Sequence, residues 1–261
     1  MESSSRPVIE GYLKTIANHT EARPSFNIIV SDNTSSIRTT FSPALQFPKG
    51  CNYEMALSSL ETYYSFPNID ASNNSFKVSI DNGVTWKPLI LIPIGCYEIK
   101  AINNEIKRLI LKAGGKKDDV TIVPNQNTLQ CIIILKENIV IDFNINNSLR
   151  SVLGFDAEKL TGPGRFESEN VVNIMKVNSI MVHCDIIGAS RLNGRERPII
   201  YSFFPNVAPG EKIISRPKNL TYLPITLNVI SHMTCWLTDQ DDKLLNFREE
   251  QITITFHIKS C

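Results

Sequence analysis

Residues 250–259 read EQITITFHIK, in which Ile252, Ile254, Phe256 and Ile258 alternate with Thr253, Thr255 and His257. Successive side chains of a strand point to opposite faces, so this alternation sets one apolar face on a core and leaves the other polar. It predicts a strand over 251–258 that is integral to a sandwich. Working back from it, the same rhythm recurs almost to the N-terminus. Segments 26–30, 39–47, 53–64, 76–80, 84–91, 120–123, 128–134 and 139–143 read as strands, divided by clusters rich in Asn, Asp and Gly. Segments 171–174, 180–187, 198–204, 212–215, 221–223 and 226–237 continue the series up to the charged turn at 238–243. Pro43 places 39–47 at an edge or a bulge, and the change of parity near Ser58-Ser59 predicts a bulge within 53–64.

One stretch breaks the rhythm. In CYEIKAINNEIKRLILKAGG (96–115), Ile99, Ile102, Ile106 and Ile110 recur at helical spacing and Gly114-Gly115 supplies a C-cap, so a helix over 97–112 is expected. Its apolar face would close one open end of the sandwich. A helical turn at 148–153 ends on Gly154, with Asn147 as its N-cap, and 156–170 reads as an exposed irregular excursion.

The composition agrees with this pattern. The 261 residues include 34 Ile and 24 Asn, residue types that suit pleated buried surfaces and left-handed turn positions respectively. Hydrophobic residues make up 42% and charged ones 20%, which excludes a disordered chain. Lys plus Arg number 27 against 26 Asp plus Glu, so the clustered basic excess of a dedicated nucleic-acid binder is missing. No repeat and no Pro/Ser linker divides the chain. The expected organisation is a flexible arm over 1–24 and one domain over 25–261. The expected fold is all-β: a single jelly-roll β-sandwich with one inserted helix and accessory strands. A doubly wound α/β fold is excluded because only one long helix separates any strands.

The first residues, MESSSRPVIEGYLKTIANH, contain no apolar signal segment, and the apolar runs are too short to span a bilayer. Six widely and irregularly spaced cysteines then read as reduced thiols, made in a cytoplasm or nucleus. Five N-x-S/T sequons are no more than 24 Asn give by chance.

The chain contains His19, His183, His232 and His257. In strands, 183 and 184 face opposite ways, as do 232 and 235, so His183-Cys184 and His232…Cys235 do not converge on a metal. No nucleophile elbow, zinc-protease, P-loop or dinucleotide motif is present. The three carboxylates within 238–243 lack EF-hand spacing and read as a solvated hairpin turn. Gly162-Pro163-Gly164-Arg165 reads as a loop rather than an anion cradle. Lys107, Arg108, Lys112, Lys116 and Lys117 form the densest basic cluster, which reads as a solvated helix end, with weak contact to packaged DNA or to an acidic partner as the alternative. The expectation is a non-enzyme with no catalytic, cofactor-binding or metal-binding residues and no cofactor.

Four runs, YEMALSSLETYYSFPNI (53–69), LIPIGCYEIKAINNEI (91–106), SLRSVLGF (148–155) and LTDQDDKLLNFREEQITITFHIK (237–259), carry a resemblance. In order and spacing they resemble the minor capsid (penton) proteins of Polinton/Maverick-type mobile DNA elements and the related adintoviruses, over about residues 25–259. The resemblance implies a structural virion protein made in a host cell, with no membrane partner. It would form homopentamers at the vertices of an icosahedral shell and abut a double jelly-roll major capsid protein. Two other readings stay open: another capsomer type, such as a trimeric capsid protein, and a lectin-like or cytokine-like jelly-roll binding module. For pentamers, the excursion at 156–170 and the polar face of the helix are the expected contact surfaces.

Overall fold

The computed structural model of the chain describes residues 24–48 and 50–261. The expected arm lies outside the described residues except for Pro24, whose carbonyl accepts the Ser260 N–H at 3.1 Å. Three long strands come first: β1 (Ser25–Asp32), β2 (Ser36–Gln46) and β3 (Tyr53–Tyr63). A second group follows, β4 (Ser75–Ser79), β5 (Ile90–Leu91), α1 (Ile99–Lys112), β6 (Val120–Pro124), β7 (Gln130–Leu135) and β8 (Val140–Asp142). It ends with the one-turn helix α2 (Arg150–Leu153), β9 (Lys159–Thr161) and β10 (Gly164–Val171). The chain then returns with β11 (Ile180–Cys184), the small hairpin β12 (Arg191–Leu192) and β13 (Arg195–Glu196), and β14 (Ile199–Phe203). Last come β15 (Lys212–Ser215), β16 (Leu223–Pro224), β17 (Val229–Thr238) and β18 (Ile252–Ser260).

Two antiparallel sheets, β1-β18-β3-β15 and β14-β11-β17-β2, face each other across one core. Counted in chain order, these eight strands run 1-8-3-6 in one sheet and 5-4-7-2 in the other, the connectivity of a jelly roll. The all-β jelly-roll fold is thus the observed one. β16 extends the first sheet beside β3. The closing strand is central: β18 pairs with β1 on one side and β3 on the other, and Ile252, Ile254, Phe256 and Ile258 are all fully buried. The bulge in β3 falls at Ser58, since Thr255 pairs with Ser59 while Phe256 pairs with Leu57. Its hydroxyl donates to the Thr255 carbonyl at 3.0 Å, which occupies the extra residue's side chain. Pro43 lies on the edge strand β2, in the irregularity between the Ile230–Leu45 and His232–Thr40 pairs. A residue without an N–H breaks no ladder bond there.

The third and fourth sandwich strands, β3 and β11, are separated by everything from β4 to β10, and this insertion has its own core. α1 buries Ile99, Ile102, Ile106 and Ile110 there, against β6 and β7, rather than capping the sandwich. Asn103 holds it in place by accepting the Ile122 N–H at 2.8 Å. The helix ends in a Schellman motif, with Gly115 N–H donating to the Ile110 carbonyl at 3.0 Å and Gly114 N–H to that of Leu111 at 3.1 Å. The accessory strands form the sheets β10-β7-β6 and β5-β4-β8-β9. The span 25–261 therefore holds two cores, because the helix carries a stripe of four isoleucines that needs an apolar partner and finds it in Ile122 and Ile133.

Three local expectations are corrected. Residues 156–170 are not an irregular excursion: they contain β9 and β10, and Leu160 is 2% exposed within the second core. The strand expected at 84–91 shortens to β5, because the turn at 81–85 is stabilised through Asp81 and leaves Val84 in solvent. Asn147 does not cap α2: Leu149 holds the N-cap position with no side-chain cap, and the Ser148 hydroxyl accepts the Arg150 N–H at 3.3 Å. Gly154 ends that turn at φ +83°, and a Cβ there would lie 2.2 Å from the Asn170 carbonyl oxygen, so only glycine fits.

Candidate functional site

The outer face of the β14-β11-β17-β2 sheet holds the most chemically distinctive group of side chains. Strand alternation turns Ile180, Val182 and Cys184 into the core, which leaves Met181 and His183 on the opposite face. That face should meet water, yet His183 is 1% exposed. The residues beside and above it explain this. Register places Trp236 of β17 opposite His183, and their rings stack at 4.9 Å between centroids and 8° between planes. Thr238 Oγ1 lies 2.9 Å from His183 Nε2. The turn after β17 then folds over, bringing Asp242 Oδ1 to 3.9 Å from the same nitrogen, while Arg197 clasps Asp242 Oδ2 at 2.9 Å. An open concavity of about 290 Å³ results, bordered by Ser36, Arg197, Pro198, Trp236, Thr238, Asp242 and Leu244 besides His183.

Burial pushes the His183 imidazole below the usual histidine value, Arg197 adds to that, and Asp242 opposes it. Its Nδ1 has no hydrogen-bond partner. This is not a relay of base and nucleophile. In such a relay a carboxylate holds one ring nitrogen and the hydroxyl takes the other, whereas Thr238 and Asp242 both approach Nε2.

The residues singled out from sequence lie as follows. His183 and Cys184 take opposite faces, as expected, and so do His232 and Cys235: Cys235 is in the core and His232 is exposed. His257 lies on the outer face of the other sheet, its Nδ1 2.7 Å from the Tyr222 hydroxyl. His19 is outside the described residues. Among the described residues no three His, Cys, Asp or Glu side chains gather as a metal centre. The 238–243 turn satisfies its own carboxylate: Asp239 Oδ1 accepts the Asp241 and Lys243 N–H groups at 2.9 and 3.0 Å. Gly162 joins β9 to β10 with no room for a side chain, since a Cβ would lie 2.2 Å from the Lys136 carbonyl oxygen. Within the basic cluster, Lys107 pairs with Asp118 at 2.9 Å and Arg108 with Glu105 at 2.6 Å, while Lys112, Lys116 and Lys117 remain exposed.

The outer face of the β1-β18-β3-β15 sheet is of a different kind, a polar ladder along β3 and β18 flanked by exposed Ile29 on β1 and Ile214 on β15. Lys259 Nζ sits 3.7 Å from the centre of the Tyr222 ring and 3.9 Å from Glu54. Further along, the Lys212 ammonium, 2.6 Å from Glu61, holds that carboxyl below the usual carboxylate range. The two flanks of the sandwich thus differ in chemistry. Sequence reasoning missed the grouping of His183, Arg197, Trp236 and Asp242, because no spacing signals it; the β11–β17 register and the overlying turn create it.

No protein-family model matches the chain, and no curated protein matches it in sequence. Among solved structures it is similar to the penton protein of mavirus, at 13% identity and a TM-score of 0.51. That match covers 92% of this chain and 100% of the other. A second solved structure, the flagellar cap protein FliD (domains D1-D2-D3) from Escherichia coli, aligns at 13% identity over 82% of this chain and 55% of that one. Its TM-score of 0.14 marks no common fold. Among the described residues no helix is long and apolar enough to cross a membrane.

Proposed function

We propose that the chain is a minor capsid protein, a penton, of a Polinton/Maverick-type or adintovirus-like element. It assembles as a homopentamer at the vertices of an icosahedral shell, beside trimers of a double jelly-roll major capsid protein, and its place is the virion. One observation carries the reading: the fold aligns with that of the mavirus penton protein over 92% of this chain and all of that one, at a TM-score of 0.51. The flanks described above support it. A ring closes through heterologous contacts, in which one surface of a subunit meets a different surface of the next. A polar ladder on one sheet and a recessed aromatic site on the other are two such unlike surfaces. A stable interface of this kind buries well over about 1,000 Å². A structural role also suits a site whose one buried histidine is not arranged for proton transfer.

Native mass measurement of the purified full chain at micromolar concentration tests the assembly. The expected species is five times the 29.3 kDa subunit mass. A trimer would overturn the penton in favour of another capsomer type. A monomer that binds glycans would favour the binding-module reading.

A further inference from the structure

We propose that His183 is an acid-sensitive latch: protonating it opens the Arg197–Asp242 clasp and lifts the turn at 239–243 off the outer face of the β14-β11-β17-β2 sheet. The latch follows from geometry and does not depend on the capsid reading. A neutral imidazole has one N–H and one bare nitrogen. His183 can satisfy Nε2 through Thr238 Oγ1 at 2.9 Å and leave Nδ1 bare at little cost. An imidazolium has an N–H on both nitrogens, and Nδ1 meets no acceptor. Its charge would also sit in a site 1% exposed to water, stacked on Trp236.

Of the residues bordering the concavity only Arg197 and Asp242 carry charge, and they act in opposite senses. Asp242 turns Oδ1 towards Nε2 at 3.9 Å while Arg197 holds its Oδ2 at 2.9 Å, so the carboxylate offers nothing to the second N–H of an imidazolium, on Nδ1. The charged ring reaches water only if the turn that covers it lifts, and Arg197 then gives up Asp242. Asp242 stands in the turn at φ +64°, on the segment that joins β17 to β18, so its movement carries the turn with it. Arg197 directly follows the exposed β12–β13 hairpin, which is released from the turn in the same step. The direction follows from the burial of the ring. The folded form holds the neutral ring and is complete above the ordinary histidine value of 6.5; the latch opens as the pH falls below it.

The test uses the full chain carrying Trp86→Phe, which leaves Trp236, stacked on the ring in question, as the only tryptophan. Its fluorescence is followed from about pH 7.5 to about pH 4.5, spanning histidine titration, with hydrogen exchange of 239–244 measured at both ends. The expected result is one titration with a midpoint below 6.5, accompanied by a loss of protection of the turn on the acid side, measured against the intrinsic exchange rate at each pH. His183→Gln in that background abolishes the titration, while His232→Gln, altering an exposed histidine of the same strand as Trp236, leaves it unchanged. Arg197→Gln raises the midpoint, because it removes the clasp and the like charge together. A flat profile, or a titration that survives His183→Gln, overturns the proposal. Should His183→Gln fail to fold at neutral pH, Arg197→Gln decides; a midpoint that falls or does not move overturns it.

Discussion

Cys184 and Cys235 stand directly opposite each other on β11 and β17, both fully buried on the inner face of the sandwich. The neighbouring Cys184 thiol, with burial, pushes Cys235 well above the usual thiol range. Burial alone pushes Cys131, in the insertion core, up to about 12. Since the thiolate is the reactive form, these positions are inert while the fold is closed. A native disulfide-exchange titration at neutral pH should modify exposed Cys51 and Cys261 first and half-buried Cys96 more slowly. Cys131, Cys184 and Cys235 should react only with unfolding. Early modification of Cys235 would show that the β11–β17 pair opens in the native state.

Phe256 tests the centre of the sandwich. It is fully buried on β18, between β1 and β3, and its register partners are Ile28 and Leu57. Phe256→Ala should cost about 3–5 kcal/mol, the transfer and cavity loss of a buried aromatic. Urea unfolding measures it, and a loss under about 1 kcal/mol would make the strand peripheral, contrary to its place between two neighbours.

Leu160 tests the second core. Because β9 packs inside it, Leu160→Ala should cost about 2–5 kcal/mol in the stability of the insertion. Deleting 158–166 would remove β9 and the start of β10, so it should unfold the insertion rather than merely trim a loop. Hydrogen exchange separates the two cores: β6–β8 should lose protection while β17 and β18 keep theirs.

Asp81 gives a pH-dependent term with a defined sign. Its carboxylate accepts from the Ser79 hydroxyl at 2.7 Å and from the Thr85 N–H at 2.8 Å, and these bonds hold its pKa down to about 2. A carboxyl lowered in the folded state contributes stability above its ordinary value of 3.8 and loses it as the pH falls towards 2. Asp81→Asn should therefore destabilise the turn at neutral pH, and the gap from the parent protein should close between about pH 4 and about pH 2. Thermal melts across that range measure it; a gap independent of pH would assign the effect to packing.

The period-two faces of β18 and β3, the bulge at Ser58, the edge position of Pro43 and the buried stripe of α1 are legible in the order of residues alone. Each is a local property, because alternation and helical spacing report which side of an element avoids water, whatever that element packs against. The alternation of Arg165 and Glu167 against Phe166 and Ser168 was equally legible and marks β10, but the glycines and proline beside it mask the strand. What the isoleucines of α1 pack against is set by long-range pairing: they could have capped the sandwich as well as joined a core of their own. The pairing of β6 with β7 and of β4 with β8 builds the second core and settles the choice. The same holds for the histidine site. His183 and Trp236 are neighbours because β11 and β17 pair in one register, and a slip by one residue would have turned each to the other face. Asp242 and Arg197 meet them from a turn and a loop whose positions depend on that pairing, so the chemistry of the site exists only once the strands have closed.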